Sequence, residues 1–254
     1  MKRIFAFFIA LTAFALIGCL DVEEDVKINA DGTGIFKHTV DMSGLFDMLA
    51  MAAMMDTSAN SELKKISDKN VDSIISLKSF TDTSTKLSAE EKRLMQDGTM
   101  RMIVNQGEKS FKIIMNYPFK NFTDLQKIIE LQESGKGYDP FGKSKENSPM
   151  GGEEDMMPSV DFAKMTFQNG LIERKIDQKK LDEMKDNEET KKMEEAGQML
   201  EGITFKTVIH LPKAVTSATG EKVSVSDDKR TVRVSYSLMD VLKSPKALEF
   251  KINY

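Results

Sequence analysis

The sequence predicts an α+β fold in which antiparallel β-hairpins form a sheet with helices packed on one face. One pattern recurs four times: a strand, a tight polar turn, a second strand and usually a helix. Asn-Gly and Asp-Gly between extended segments favour hairpins, because the primed turns require positive φ. Apolar and polar residues alternate within these strands, which is typical of antiparallel sheets with one covered face.

The four predicted hairpins follow one another along the chain. Their strand pairs are 22–29 with 35–41, 100–104 with 111–117, 162–167 with 171–176, and 222–225 with 231–236. A further strand is predicted from Ile203 to Leu211, where apolar residues recur with a period of two. The hairpins share too little sequence to indicate an internal repeat.

Three predicted helices differ in character. Residues 43–55 are apolar on nearly every side, which predicts burial or contact with a membrane or partner. Residues 123–133 are amphipathic, with Thr123 as the predicted N-cap. Residues 178–200 are dominated by Lys and Glu around a thin apolar stripe, which predicts a surface helix supported by i,i+4 pairs.

A segment rich in Gly, Pro, Ser and acidic residues, 134–160, separates two parts of the body. Its low apolar content predicts a flexible loop between residues 19–133 and 161–254. A tolerated surface insertion is the simpler interpretation, because long loops cost little. A functional loop is the alternative.

Composition excludes several functional classes. The 254-residue chain carries a formal charge of −4 with no basic block, which argues against nucleic acid as a partner and against electrostatic docking on anionic lipid. The single cysteine excludes a disulfide framework. We therefore expect an ordinary packed core.

Few side chains offer catalytic chemistry. His38 alternates with Phe36 and Val40, which predicts a core or half-buried histidine rather than a catalytic base. His210 falls in register with Lys206 on the wetter face of its strand. Neither the G-x-S-x-G motif of serine hydrolases nor the H-E-x-x-H motif of zinc proteases occurs in the sequence, and we predict no catalytic residue. A triad assembled from distant positions stays open as an alternative.

The sequence likewise predicts no metal or cofactor site. Met48, Met51, Met54 and Met55 have the spacing of one helix and offer thioether sulfur suited to Cu(I). Because neither His nor Cys accompanies them, we interpret them as residues that fill irregular apolar space. No glycine-rich nucleotide-binding motif stands between a predicted strand and a predicted helix, so nucleotide binding is not predicted.

The N-terminal residues have the pattern of an export signal. Lys2 and Arg3 precede an uncharged apolar run from Ile4 to Leu16. This run is too short to span a bilayer, which takes ~20 residues, so a cleaved signal peptide over residues 1–18 is predicted.

The sequence Leu16-Ile17-Gly18-Cys19 resembles the lipobox of bacterial lipoproteins. The resemblance implies that Cys19 carries diacylglycerol, that the chain is cut before it, and that the new amine receives an acyl chain such as palmitate. Each buried CH₂ contributes ~0.8 kcal/mol, so several chains together anchor a protein stably. The resemblance implies a destination and no activity.

Residues just after Cys19 bear on that destination. In lipoproteins, a residue other than Asp directly after the lipidated cysteine implies transfer to an outer membrane, and in this chain that residue is Leu20. The acidic run 21–25 is predicted to be a solvated strand edge, with cell-surface display as the alternative that the resemblance suggests.

We therefore expect an outer-membrane lipoprotein, facing the periplasm or the cell surface. Its membrane contact is the lipid anchor, and its body binds or scaffolds an envelope protein without catalysis. One alternative is an envelope hydrolase with a dispersed site that uses His38 or carboxylates. Another is a module that captures a hydrophobic ligand or copper with the methionine-rich helix 43–55.

Overall fold

The computed structural model describes residues 20–45, 70–85, 87–133, 162–186, 190 and 202–254. Its strands are β1 (Leu20–Ile28), β2 (Gly34–Asp41), β3 (Val71–Ser76), β4 (Thr99–Asn105), β5 (Ser110–Phe119), β6 (Ala163–Gln168), β7 (Leu171–Ile176), β8 (Ile203–His210), β9 (Ser217–Thr219), β10 (Val223–Val225), β11 (Thr231–Ser237) and β12 (Phe250–Asn253). Its helices are α1 (Lys78–Thr83), α2 (Ala89–Met95), α3 (Phe122–Glu133), α4 (Gln178–Asp186) and α5 (Leu238–Lys243), with 3-10 turns at Ser43–Leu45 and Pro245–Leu248. The predicted α+β class is confirmed.

The strands form two sheets, where the sequence predicted one. The large sheet has the order β10-β11-β8-β1-β2-β5-β4-β3, and the small sheet has the order β6-β7-β12-β9. All neighbouring pairs are antiparallel except β1 and β8, which run parallel. A parallel pair needs a long crossover connection, so its partners lie far apart in sequence. Turn chemistry therefore could not predict this pairing.

All four predicted hairpins are present as β1–β2, β4–β5, β6–β7 and β10–β11. Gly32 and Gly170 adopt positive φ of 82° and 80° in the first and third turns. Lys229 adopts φ 56° in the fourth turn, where no glycine is available. The strand predicted from Ile203 is β8.

The start of α3 differs from its prediction. The helix begins at Phe122, and the side chain of Asn121 accepts a hydrogen bond from the Asp124 backbone N–H at 2.9 Å. Asn121 therefore caps the helix, and Thr123 lies within its first turn. Asn serves at an N-cap at least as well as Thr does.

Other predicted segments are described only in part. Helix α4 covers the first residues of the predicted 178–200 helix, and the predicted helix 43–55 is described only in its 3-10 turn. The remainder of both segments lies outside the described residues, as do Met48, Met51, Met54 and Met55. The predicted loop 134–160 lies there too.

One hydrophobic core joins the two sheets and the helices. On the inner face of the large sheet, Phe36, Tyr117 and Ile209 are fully buried. Helix α3 packs on β5 and β6 through an apolar face. The small sheet covers the same inner face, since its residues belong to that core.

The sequence predicted that the acidic run 21–25 lies at a strand edge, and this prediction is wrong. It lies on β1, the fourth of eight strands in the large sheet. On the outer face, Glu23 pairs with Lys206 at 2.9 Å, and Asp25 pairs with Lys37 at 3.1 Å. Cross-strand cations of β2 and β8 thus allow acidic residues on a central strand.

Candidate functional site

The proposed lipid-attachment residue directly precedes the central strand. Leu16, Ile17, Gly18 and Cys19 lie outside the described residues, but Leu20 is the first residue of β1. The Leu20 backbone N–H donates to the Gly202 carbonyl at 3.4 Å, and Leu20 pairs with Ile203 of β8. A trans peptide bond keeps the Cα atoms of Cys19 and Leu20 ~3.8 Å apart. Cys19 is therefore joined to a folded element without a linker.

A row of polar side chains crosses the inner face of the large sheet. Glu24 of β1 pairs with His38 of β2 on one side and with Thr207 of β8 on the other. Paired residues in adjacent strands project to the same face. The Thr207 hydroxyl, which is buried, donates to the Glu24 carboxylate at 3.2 Å. Apolar cross-strand pairs lie on either side of this row, with Val22 and Val40 on one side and Val26 and Phe36 on the other.

A buried arginine from the small sheet reaches this row. Arg174 of β7 is 5% exposed, and its Nη2 lies 3.8 Å from the Glu24 carboxylate. Its Nη1 donates to the Tyr236 hydroxyl at 3.3 Å. The guanidinium carbon lies 5.6 Å from the ring centre of Tyr236 and 5.4 Å from that of Phe250, a cation–π arrangement. Arg174 and Glu24 thus join the two sheets through a charge pair. We name His38, Glu24, Thr207 and Arg174 the inter-sheet polar cluster.

His38 is the titratable base of this cluster. The predicted face is confirmed, because its ring centre lies 6.3 Å from that of Phe36 on the inner side. Its Nδ1 is buried without a hydrogen-bond partner. Burial lowers the pKa of His38, and the negative charge of Glu24 acts in the opposite direction. The lowered pKa favours the neutral imidazole, which is the form of histidine that can act as a base.

The second histidine lies on the opposite face. His210 Nε2 lies 3.4 Å from the Asp25 carboxylate, and its Nδ1 is 3.3 Å from the Thr231 hydroxyl. The side chain is 42% exposed, as predicted for the wetter face of β8. Because the sheet separates His210 from His38, the structure does not bring the two candidate bases together.

A groove of about 360 Å³ lies between α2 and α3, away from both histidines. Its lining includes Leu94 and Leu131, with Lys127 and Glu90 forming an ion pair at 2.6 Å. The groove is therefore apolar at its base and charged at its rim. Ser88 and Glu91 also line the groove, and their side chains form the capping box at the start of α2.

Within the described ranges, no three His, Cys, Asp or Glu side chains converge as metal ligands would. The methionines that the sequence offered for Cu(I) lie outside these ranges. Among the helices that the structure describes, none is long and apolar enough to cross a bilayer.

Known proteins resemble this chain only distantly. No family model matches the chain, and no curated protein matches it. One solved structure that aligns with it is the NMR structure of the folded domain of LppM from Mycobacterium tuberculosis. The two chains are 8% identical over 93% of this chain and 90% of that one, with a TM-score of 0.37. A TM-score this low does not establish a common fold, so no function follows from it.

Glu24 and Arg174 were not predicted as members of a cluster. Each lies at a position of its strand where apolar residues otherwise face inward. Glu24 lies between Val22 and Val26 in this alternation, and Arg174 is two residues after Ile172. A charged residue at an inward position was the available signal. Lys and Arg, like Asp and Glu, are rarely fully buried unless they are paired.

Proposed function

We propose that this chain is a lipid-anchored protein of the bacterial outer membrane whose body binds or scaffolds another envelope component without catalysing a reaction. The observation that carries the anchor is the lipobox-like Leu16-Ile17-Gly18-Cys19, placed one residue before β1. This position would hold the whole body at the membrane, where an envelope partner is available.

An exposed sheet edge supports the binding role. Strand β3 pairs with β4 on one side, and no other described strand pairs with its second side. Ile74 is 67% exposed and Ile75 is 39% exposed on this strand. Unpaired backbone groups and exposed apolar side chains at an edge suit the addition of a strand from a partner.

The inter-sheet polar cluster supports a structural rather than catalytic use of its residues. Glu24 accepts from Thr207 and pairs with Arg174, while Arg174 lies over two aromatic rings. These contacts bind the cluster to the core of the protein itself. Such buried polar networks favour one relative placement of packed layers.

The anchor is tested by metabolic labelling with a palmitate analogue. The native chain should incorporate the label, and Cys19→Ala should lose it because the only thiol is gone. Leu20→Ala, which retains the cysteine, is the matched control and should remain labelled. Equal labelling of Cys19→Ala and the native chain would contradict the anchor.

The binding role is tested by placing a photo-reactive amino acid at Ile74 in the membrane-bound protein in cells. An adduct of one defined mass is expected at Ile74. Arg233, exposed on the central region of β11, is the control position and should give no such adduct. The same diffuse pattern at both positions would refute β3 as a binding edge.

An envelope hydrolase is the second candidate, favoured by the buried, unpartnered Nδ1 of His38 near Glu24. Hydrolysis of an envelope substrate that His38→Gln abolishes, with unchanged thermal unfolding, would support this candidate. The ligand-capture or copper module involves residues 43–55, which are described only in part. That alternative stays a prediction from the sequence.

A further inference from the structure

The strand that follows Cys19 is rigidly held from its first residue. Leu20 donates a backbone hydrogen bond to Gly202, Asp21 accepts one from the Thr204 hydroxyl, and Val22 is 7% exposed. A flexible linker of n residues would separate a body from its anchor by ~5–6 Å × √n. Here n is zero, so an anchor at Cys19 fixes the position of this end of β1.

We propose that one end of the large sheet lies against the headgroup layer of the bilayer, with the strands pointing away from it. We name it the anchor end: it contains the start of β1, the end of β2, and the turn between β4 and β5. The proposal rests on the lipid anchor of the proposed function and adds the orientation of the body.

The position of β1 within the sheet restricts tilting of the body. Three strands lie on one side of β1 and four on the other. Adjacent strands are ~4.8 Å apart, so the anchor sits near the middle of the anchor end. Tilting towards either edge of the sheet would press the strands on that side into the headgroups, which favours an upright placement within the plane of the sheet.

Two carboxylates at the anchor end are paired with lysines. Lys112 lies 2.7 Å from the Asp41 carboxylate, which also accepts from the Ser43 backbone N–H at 3.0 Å. Glu23 pairs with Lys206 nearby. Paired charges give little net attraction to anionic lipid, which polybasic segments need for binding. The orientation therefore follows from the covalent attachment and not from lipid charge.

Two fluorescent probes test this orientation in the full lipidated protein. The only native thiol would be blocked by its lipid, so one introduced cysteine can be labelled specifically. Glu108→Cys places a probe in the β4–β5 turn at the anchor end, and Ala30→Cys places one in the β1–β2 turn at the opposite end. The nine residues of β1 span about 30 Å at ~3.3 Å per residue.

The measurement is energy transfer from each probe to acceptor lipids in phosphatidylcholine vesicles, with and without phosphatidylglycerol. We expect the Ala30→Cys probe to lie about 25–30 Å farther from the bilayer than the Glu108→Cys probe, given the strand length. Phosphatidylglycerol should not change this difference. Equal distances for the two probes, or a difference that appears only with phosphatidylglycerol, would overturn the proposal.

A linker variant supplies the matched control. About ten Gly-Ser residues inserted between Cys19 and Leu20 would give a mean reach of about 17 Å. This variant should still float with the vesicles, but the two probe distances should converge. If its probe difference equals that of the native chain, rigid attachment at β1 is refuted. A chain that fails to float with vesicles refutes the anchor itself, which distinguishes the two failures.

Discussion

Burial of the Nδ1 atom of the half-buried His38 predicts a specific acid sensitivity of the fold. Burial lowers the pKa of His38 below its ordinary 6.5. As the pH falls below 6.5, the unfolded chain therefore gains a proton at His38 that the folded chain does not hold. The free energy of unfolding decreases with falling pH in this range, and the decrease ends only when the pH reaches the lowered folded pKa. Stability from this group is fully present above the unfolded pKa.

Only one proton is involved, which limits how steeply the free energy of unfolding can change with pH. The slope cannot exceed about 1.4 kcal/mol per pH unit. Integrated from pH 6.5 to about pH 5, the loss is at most about 1.6 kcal/mol. The negative charge of Glu24 opposes the desolvation and reduces this loss.

The assay is urea unfolding of the detergent-solubilised mature protein between about pH 8 and pH 5, followed by circular dichroism. The difference in unfolding free energy between the native chain and His38→Gln should change across this range, because only the native chain has His38. The other groups titrate in both proteins and cancel in the difference. His210→Gln retains His38 and is the matched control, so it should keep the slope assigned to His38. A native-minus-His38→Gln difference that stays constant with pH would refute the reasoning.

Three further predictions concern stability and are measured by the same unfolding assay. Gly34→Ala should cost about 1–3 kcal/mol or more, because a Cβ there would collide with the β1 backbone and a phenylalanine ring. Gly107→Ala, in an open turn, is its control, and an equal loss at both glycines would contradict the steric reason. Arg174→Ala should cost about 3 kcal/mol by leaving the partly buried Glu24 carboxylate without its cation, and Glu24→Gln should relieve part of this loss. Strictly additive effects would show that the two residues are not coupled. Ser88→Ala should cost about 1 kcal/mol through loss of the capping box of α2, and an unchanged midpoint would show that the cap contributes nothing.

Local chemistry accounts for what the sequence predicted correctly. The turns at Gly32 and Gly170 need positive φ, and the flanking alternation indicates which residues face inward, so the hairpins were predictable. The same alternation placed His38 inward beside Phe36. Strand β3, helix α2 and strand β12 were not predicted. For α2 a signal was present, since Ser88 and Glu91 form a capping box of the S-x-x-E type.

Long-range pairing accounts for the rest. Glu24 becomes a member of the inter-sheet polar cluster only because β8 pairs with β1 and because β7 packs over both. Thr207 and Arg174 lie far from Glu24 in sequence, and each belongs to a different hairpin or strand. Local sequence patterns do not indicate which strands are neighbours in a sheet. The sequence could therefore indicate Glu24 and Arg174 as inward-facing charges, but not that they meet.

Strand β1 links the two main inferences about this protein. Its first residue adjoins Cys19, and its fifth residue, Glu24, holds the centre of the inter-sheet polar cluster. Because β8 pairs with β1 in parallel, the large sheet is complete only when residues 203–210 have folded against β1. The strand beside the anchor is thus fixed by contacts from the C-terminal part of the chain. The rigid orientation that we propose at the membrane therefore requires the completed fold, and an anchored chain that lacks β8 would behave as a flexible tether.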